Sequence, residues 1–325
     1  MLIKSRGQSW IMLAQGNPWD ETQPSSQNEQ APSRPYVVGR KYISHRLRRN
    51  NSGCLTCLTT SILIILVSII LGGVYFFFPH RTNLAILGID YSQANDFVGR
   101  SDTMLLVTLK PFRPYVGVLS IPRDLWVTIP GVGENRINTA HFFAEAQAAG
   151  YGPRKVIETI NANFGINAGY YLRFRFQDFI EVIDAMGGLT ISLTKPMAGY
   201  ETGEHHLTGR KALAFARNRL GSDDFFRMER NQLIIKSVVV ELLHPTNWWR
   251  IPGVFRTVWN SVDTDLPCWL WPRLAFTFLW VGPDGIDFHT ISREMVTPFT
   301  TDQGANVLLP DWSQILPLVN EIIGQ

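Results

Sequence analysis

The run from Leu58 to Phe78, twenty-one residues without a charge, constrains this chain more than any other feature. At about 1.5 Å per residue, an α-helix of that length crosses the roughly 30 Å hydrocarbon core of a bilayer. The run is too long and too far from Met1 for a cleaved signal, and no small-residue cleavage site follows Phe76, Phe77 and Phe78. It reads as an anchor. A second apolar stretch, Cys268–Val281, carries Pro272 and Arg273 at its middle. A central charge is costly in lipid, so this stretch belongs to a folded core.

Charge on the flanks orients the anchor. Arg40, Lys41, Arg46, Arg48 and Arg49 precede it, while Arg81 is the one basic residue close behind. The positive-inside rule places the N-terminus in the cytoplasm and everything after Pro79 outside. The expected organisation is a basic, disordered cytoplasmic tail (1–57), a transmembrane helix (58–78) and an extracytoplasmic domain (82–325), held at a cell membrane. The tail is rich in Gln, Asn, Ser and Pro between Asn17 and Pro35, and buries too little apolar surface to offset ordering entropy. Its cluster Arg46–Arg49 suits topology or anionic lipid of the bilayer rather than nucleic acid, so the net charge of +3 says little about the domain's ligand.

Cys54 and Cys57 fall at the cytoplasmic edge of the anchor, and Cys268 alone lies beyond it, so the domain is expected to lack an intrachain disulfide. Cys54 and Cys57 read as ordinary interfacial residues, with acylation or half a metal site as alternatives. Between Leu266 and Trp269, Cys268 is expected to be a buried thiol.

Within the domain, Asn83–Leu87, Met104–Leu109 and Tyr115–Ile121 are apolar runs separated by turn signals, and read as three successive strands. Gly152 and Pro153 open a helix closed near Gly165. Tyr170 to Phe176 alternates as a half-buried strand, with Tyr171, Arg173 and Arg175 on its polar side. A helix over Gln177–Met186 stops at Gly187 and Gly188, and Leu189–Leu193 reads as the next strand. A short helix over Leu207–Phe215 follows, with Thr208 as cap, and then a longer one capped by Asp223 or Asp224. Trp248–Trp280 is expected as helical cover on the sheet, with a final strand near Phe288–Ile291 and a last helix from about Asp311. Short links between the first strands suit antiparallel neighbours and the later ones carry helical crossovers. The fold class is thus α/β, a three-layer sandwich with a mixed central sheet, preceded by one transmembrane helix.

Asp90 and Asp102 lie at the ends of consecutive strands, where one loop can bring both carboxylates to one sheet edge. Hard oxygen ligands in that arrangement suit Mg²⁺, although a pair of loop aspartates also serves as turn formers. Arg100, Arg123, Arg217, Arg219, Arg227 and Arg230 all sit at strand ends or in a helix's first turns, and Gln232 adds an amide donor. Guanidinium forks in that number point to phosphate or pyrophosphate. Asp124, beside Arg123, is a candidate base or an ion-pair partner. His205 and His206 read as solvated loop residues.

These residues fall in a set of ordered motifs: Leu84–Asp90, Gly99–Met104, Leu119–Asp124, Arg136–Ala140, Asp184–Gly188, Leu207–Gly209, Ala212–Arg219 and Arg227–Gln232. By them the chain resembles the LytR-CpsA-Psr family of membrane-anchored cell-wall phosphotransferases, strongly from about Asn83 to Leu243 and more loosely to Gln325. Asn231 departs from the Gln frequent in relatives. The resemblance implies transfer of a glycopolymer from a polyprenyl-pyrophosphate carrier to a peptidoglycan hydroxyl, leaving a phosphodiester. It implies Asp90 and Asp102 as ligands of Mg²⁺, with Arg100, Arg123, Arg217 and Arg219 clamping the pyrophosphate. Arg227, Arg230 and Gln232 would complete the site, and the apolar interior between sheet and helices would take the lipid chain. A membrane sensor or scaffold that binds polyprenyl-linked polymers without catalysis is the alternative, since such a protein could dispense with the metal ligands.

Overall fold

The computed structural model describes residues 52–78, 80–90, 98–218 and 224–324. Residues 1–51 of the expected tail, the segment after Asp90, Arg219 and Asp223 lie outside those residues, while 52–57, expected as the end of the tail, are helical. The chain divides into two units, Met1–Thr56 and Cys57–Gln325, and the sheet, its helices and the site lie in the second.

The expected anchor is helical: α1 spans Ser52–Phe77, and its stretch Thr56–Phe77 is long and apolar enough to cross a membrane, with none of it buried by the chain. Three strands follow, β1 (Thr82–Asp90), β2 (Arg100–Lys110) and β3 (Tyr115–Ile121), each within a residue or a few of its apolar run. As the short links required, β1 pairs with β2 and β2 with β3 antiparallel. A hairpin, β4 (Trp126–Ile129) and β5 (Gly133–Arg136), leads to α2 (Thr139–Gln147) and α3 (Gly152–Phe164). Pro153 in the first turn and left-handed Gly165 bound α3, the places where a missing N–H and a positive φ cost least. The strand β6 (Tyr170–Arg175) returns parallel to β1, as a helical crossover demands.

Next come α4 (Phe176–Met186), the hairpin β7 (Leu189–Leu193) and β8 (Gly203–Leu207), α5 (Gly209–Arg217), α6 (Asp224–Leu243) and α7 (Ile251–Ser261). The short β9 (Asp263–Thr264), α8 (Trp271–Val281), β10 (Ile286–Thr290), the hairpin β11 (Val296–Thr300) and β12 (Asn306–Pro310), and α9 (Trp312–Val319) complete the chain. The central sheet runs β10-β3-β2-β1-β6-β9 and is mixed, with β10 parallel to β3 and β9 antiparallel to β6.

Burial makes the layers. One sheet face, with Leu87, Leu106 and Leu119, packs on Val156, Ile160 and Phe164 of α3 and Ile315 and Val319 of α9. The other, with Leu105, Val107 and Val118, packs on Ile235 and Val239 of α6 and Leu274 and Phe278 of α8. This is the expected three-layer α/β sandwich. A third cluster joins α4, α5, α6 and α7 to the β7–β8 hairpin.

Some expectations fail. The strand expected near Phe288–Ile291 is β10 (Ile286–Thr290), but it is not the final one, since the β11–β12 hairpin follows it, and Leu207 ends β8 instead of opening a helix. Arg173 is buried, 3% exposed, because α2 lies over the side of β6 read as polar. Its charge is matched by Glu145 at 2.9 Å and Asp263 at 2.6 Å. The Trp-rich segment is helical, yet Trp248, Trp249, Trp259, Trp269 and Trp280 are each more than half exposed. The leucines and Phe278 cover the sheet, not these tryptophans. Cys268 is exposed: it opens a short 3₁₀ turn, Cys268–Leu270, that turns Leu270 inward and Cys268 and Trp269 out. Neighbours in sequence do not share a burial state on so tight a turn. Arg273 lies in a folded core as read, 4% exposed, and donates to the Phe78 and His80 carbonyls where the chain leaves α1.

Candidate active site

Asp90 closes β1 and Arg100 opens β2, and the two stand opposite each other in the ladder. Between the pairs Ile89–Ser101 and Gly88–Thr103 one residue of β2 has no counterpart on β1, and that residue is Asp102. A bulge there re-aims one side chain at the rim of a sheet, which is where the carboxylate is needed. Gly99 permits the approach: a Cβ on it would come within 2.4 Å of the Asp90 carbonyl oxygen. Only glycine brings the two strand ends that close.

The arginines meet these carboxylates. Arg123 Nη1 lies 3.0 Å from Asp102 Oδ1, and Arg217 Nη2 lies 3.0 Å from Asp90 Oδ2. The Arg217 guanidinium also stacks on the Phe176 ring, 4.4 Å from its centroid, which fixes the plane of the fork. Arg227 donates to the main-chain oxygen of Asp102 at 3.4 Å, and Arg230 to the Asn218 carbonyl at 2.6 Å, tying α6 to the residue after Arg217. Burial, then the like charge of Arg227, lowers the Arg230 pKa below its ordinary value. A narrow cleft opens among Asp102, Ser120, Arg123, Arg227 and Asn231. Arg100 is exposed at the mouth of the same edge.

Asp124 lies between two guanidiniums, Arg123 at 3.4 Å and Arg136 at 3.5 Å. A carboxylate so placed orients the Arg123 fork, which is the ion-pair alternative. Gln232 stands apart from the arginines. Its amide nitrogen reaches Ser120 Oγ, the His289 carbonyl and Thr290 Oγ1 at 2.7 to 3.2 Å, fastening α6 to β3 and β10. A cavity of about 220 Å³ between Leu193, Leu233 and Phe288 opens on that side. It is smaller than the roughly 300–1,000 Å³ of a drug-sized ligand site.

Several motif residues prove to be rulers for the charged ones. The Asn138 carbonyl accepts from Ser101 N–H at 3.4 Å, and its own N–H donates to the Arg123 carbonyl at 3.3 Å, spacing Asp102 from Arg123. Asp184 Oδ1 accepts from Gly209 N–H at 2.7 Å and so sets the start of α5, whose last residue is Arg217.

Sequence reasoning missed the support beneath Gly99. His141 is fully buried, with Nδ1 2.8 Å from the Gly99 carbonyl and Nε2 3.2 Å from Arg173 Nη1. Arginine only donates, so Nε2 accepts and Nδ1 carries the proton given to Gly99. Burial pushes the His141 pKa down to about 4, with the Arg173 charge adding to the effect. Burial would raise Glu145, but N–H donors from Gly150 and Gly152 and the Arg173 charge hold it below its ordinary value. The signal was Arg173 itself, a charge in the interior of β6, with partners that lie 28 and 90 residues away (173 − 145 and 263 − 173).

Two carboxylates flanked by guanidiniums match what Mg²⁺ takes when phosphate oxygens and water complete its shell. Among the described residues no group of three His, Cys, Asp or Glu side chains is placed to hold a metal by protein ligands alone. Asp90 and Asp102 therefore fit a metal that arrives with a phosphate.

The family model LytR_cpsA_psr family matches residues 79–319. A relative from Oceanobacillus iheyensis named polyisoprenyl-teichoic acid--peptidoglycan teichoic acid transferase TagU is 31% identical over 190 residues, 57% of this chain and 58% of that protein. Regulatory protein MsrR of Staphylococcus aureus (strain Mu50) is 28% identical over 195 residues, 58% of this chain and 57% of that protein. The chain thus spans under two thirds of the curated relatives it matches. Among solved structures, B. subtilis TagV superposes with a TM-score of 0.61 at 23% identity, over 76% of this chain and 98% of that one. TagT bound to LIIa-WTA superposes with a TM-score of 0.60 at 19% identity, over 75% and 91%. Both share its fold. With a family model matched over 241 residues (319 − 79 + 1), the chain belongs to the LytR_cpsA_psr family.

Proposed function

We propose that this chain transfers a glycopolymer from a polyprenyl-pyrophosphate carrier to a hydroxyl of peptidoglycan. The observation that carries the reading is the paired set Asp102–Arg123 and Asp90–Arg217 around the β2 bulge. The acceptor oxygen attacks the phosphorus that bears the glycan. The bond from that phosphorus to the bridging oxygen breaks, polyprenyl phosphate leaves, and the hydroxyl proton passes to solvent or a base. Such a transfer asks mainly for positioning and charge neutralisation. Arg123 and Arg217 turn from their carboxylates toward pyrophosphate oxygens, Arg100 faces the open edge, and Arg227 holds the Asp102 backbone. Asp90 and Asp102, relieved of their arginines, would hold Mg²⁺, which neutralises charge on the leaving phosphate when bound.

The same reading sets α1 in the membrane with the N-terminus cytoplasmic and the domain outside; protease added to intact spheroplasts then degrades the domain and spares the tail. The purified chain, given Mg²⁺ and a short-chain polyprenyl-pyrophosphate glycan, should release polyprenyl phosphate rapidly only with a peptidoglycan acceptor. Asp102→Ala should lose activity that raised Mg²⁺ partly restores. Tight carrier binding with no release under any acceptor would leave the sensor or scaffold reading in its place.

A further inference from the structure

The helix α7 is apolar on two sides. Val254 and Val258 face the cluster with α4, as an amphipathic helix requires. The opposite side carries Ile251, Phe255 and Trp259 at the i, i+4, i+8 spacing of a second stripe, exposed by 41, 49 and 59%. None of the three belongs to a core cluster. Leu279 and Trp280 of α8 are likewise 56% exposed, while Leu274 and Phe278 take that helix's contacts with the sheet.

This outer face is continuous with the end of α1. Phe76 and Phe77 pack on Phe276 with ring centroids 4.9 and 5.6 Å apart, and Phe77 packs edge-on to Trp280 at 5.6 Å. Tyr75 donates its hydroxyl proton to the Trp269 carbonyl. From α8 the rings run on through Trp271 to Phe255 at 6.2 Å and then to Trp259 at 5.9 Å.

Charge on the segment has the matching pattern. Between Pro245 and Val281 the acids are Asp263 and Asp265, and both turn to arginines elsewhere, Arg173 and Arg154. Arg256 is exposed beside Phe255, and Arg250 lies over the Trp249 ring at 4.9 Å. Tryptophan and arginine around an apolar stripe, without a free acid, is the make-up of a helix that lies in a bilayer interface.

We propose that the outer faces of α7 and α8 seat the domain sideways in the headgroup layer of the membrane that α1 crosses. The inference rests on the reading of α1 as an anchor. It adds a fixed orientation that the anchor alone does not impose. The site needs one: α1 joins β1 at Thr82, whereas Asp90 lies at the other end of that strand, about 25–30 Å away at roughly 3.3 Å per residue. A domain standing on its tether would hold the arginines far from a carrier whose chain is in lipid. A domain lying on α7 and α8 has its tilt set by those contacts instead of by the tether alone.

Single cysteines at positions 66, 259, 280 and 299 of the full chain, with Cys54, Cys57 and Cys268 replaced by Ser, would carry a fluorophore in vesicles of mixed phosphatidylcholine and phosphatidylglycerol. Nitroxide lipids quench at known depths. Positions 259 and 280 should lose emission to shallow nitroxides, position 66 to deep ones, and exposed position 299 on β11 to neither. If 259 and 280 are quenched no more than 299, the seating is wrong, whether the face meets water, a second copy or another protein. Loss of quenching at 66 as well would overturn the anchor reading together with it.

Discussion

The bulged end of β1 and β2 and the outer face of α7 hold side chains of opposite character in opposite circumstances. At the first, Asp90, Asp102, Arg123 and Arg217 have found partners inside the chain and come from β1, β2, the turn after β3 and α5. At the second, Ile251, Phe255 and Trp259 come from one helix and point away from each core cluster. A charged group near the interior demands an internal partner because desolvation is expensive. An exposed apolar stripe costs the fold little to display, and so reports on something outside it. The two regions should therefore respond differently to substitution.

The largest effect belongs to the charge network beneath the site. Arg173→Leu leaves Glu145 buried without its cation, and breaking a buried pair on one side typically costs about 3–5 kcal/mol. Denaturant unfolding of the purified chain in detergent measures it; a loss below about 1 kcal/mol would mean that the network does not support Gly99 and Arg100. Arg123→Ala should spare folding but slow transfer by roughly 10²–10³, about 3–4 kcal/mol, as expected when one preorganised donor to developing charge is removed. Circular dichroism and initial rates on the same sample separate the two.

Acid probes the same network through His141. Its folded pKa, about 4, lies below the unfolded value of 6.5, so between those limits the unfolded chain binds the extra proton. Stability from this group is complete above pH 6.5 and drains away as pH falls toward 4, by about 3 kcal/mol in all. His141→Gln should flatten that part of the stability curve. Smallest is the effect on the aromatic face: Trp259→Ser, more than half exposed, should shift unfolding in detergent by no more than about 0.5 kcal/mol. A large shift there would turn the face back into a piece of the core.

How much of this was legible depends on whether the deciding contact is local. The strands β1, β2 and β3 announced themselves because each is a largely apolar run, mostly buried on both faces. Helix stops at Gly165 and Gly187 were equally plain, since both residues take a positive φ. The hairpins β4–β5 and β11–β12 are short and mixed in polarity, and escaped notice. Alternation in β6 had the right period, but period alone does not say which side is covered, and Arg173 lies on the inner one. Gln232 shows the same limit: its place near the arginines on α6 says nothing of the acceptors on β3 and β10 that claim its amide. Clustering at element ends did mark Asp90, Asp102, Arg123, Arg217 and Arg227, because strand ends at one sheet edge converge whatever the rest of the fold does.

The most direct test of the central claim follows one phosphorus atom. A carrier labelled with ³²P at the phosphate bearing the glycan, given to the full chain in vesicles with peptidoglycan, should deliver its label to the peptidoglycan in a phosphodiester while unlabelled polyprenyl phosphate is released. Arg217→Ala should slow that delivery without diverting it. Label that stays with the polyprenyl product, or on carrier that remains bound and intact, would contradict phosphoryl transfer at the bulged end of β1 and β2.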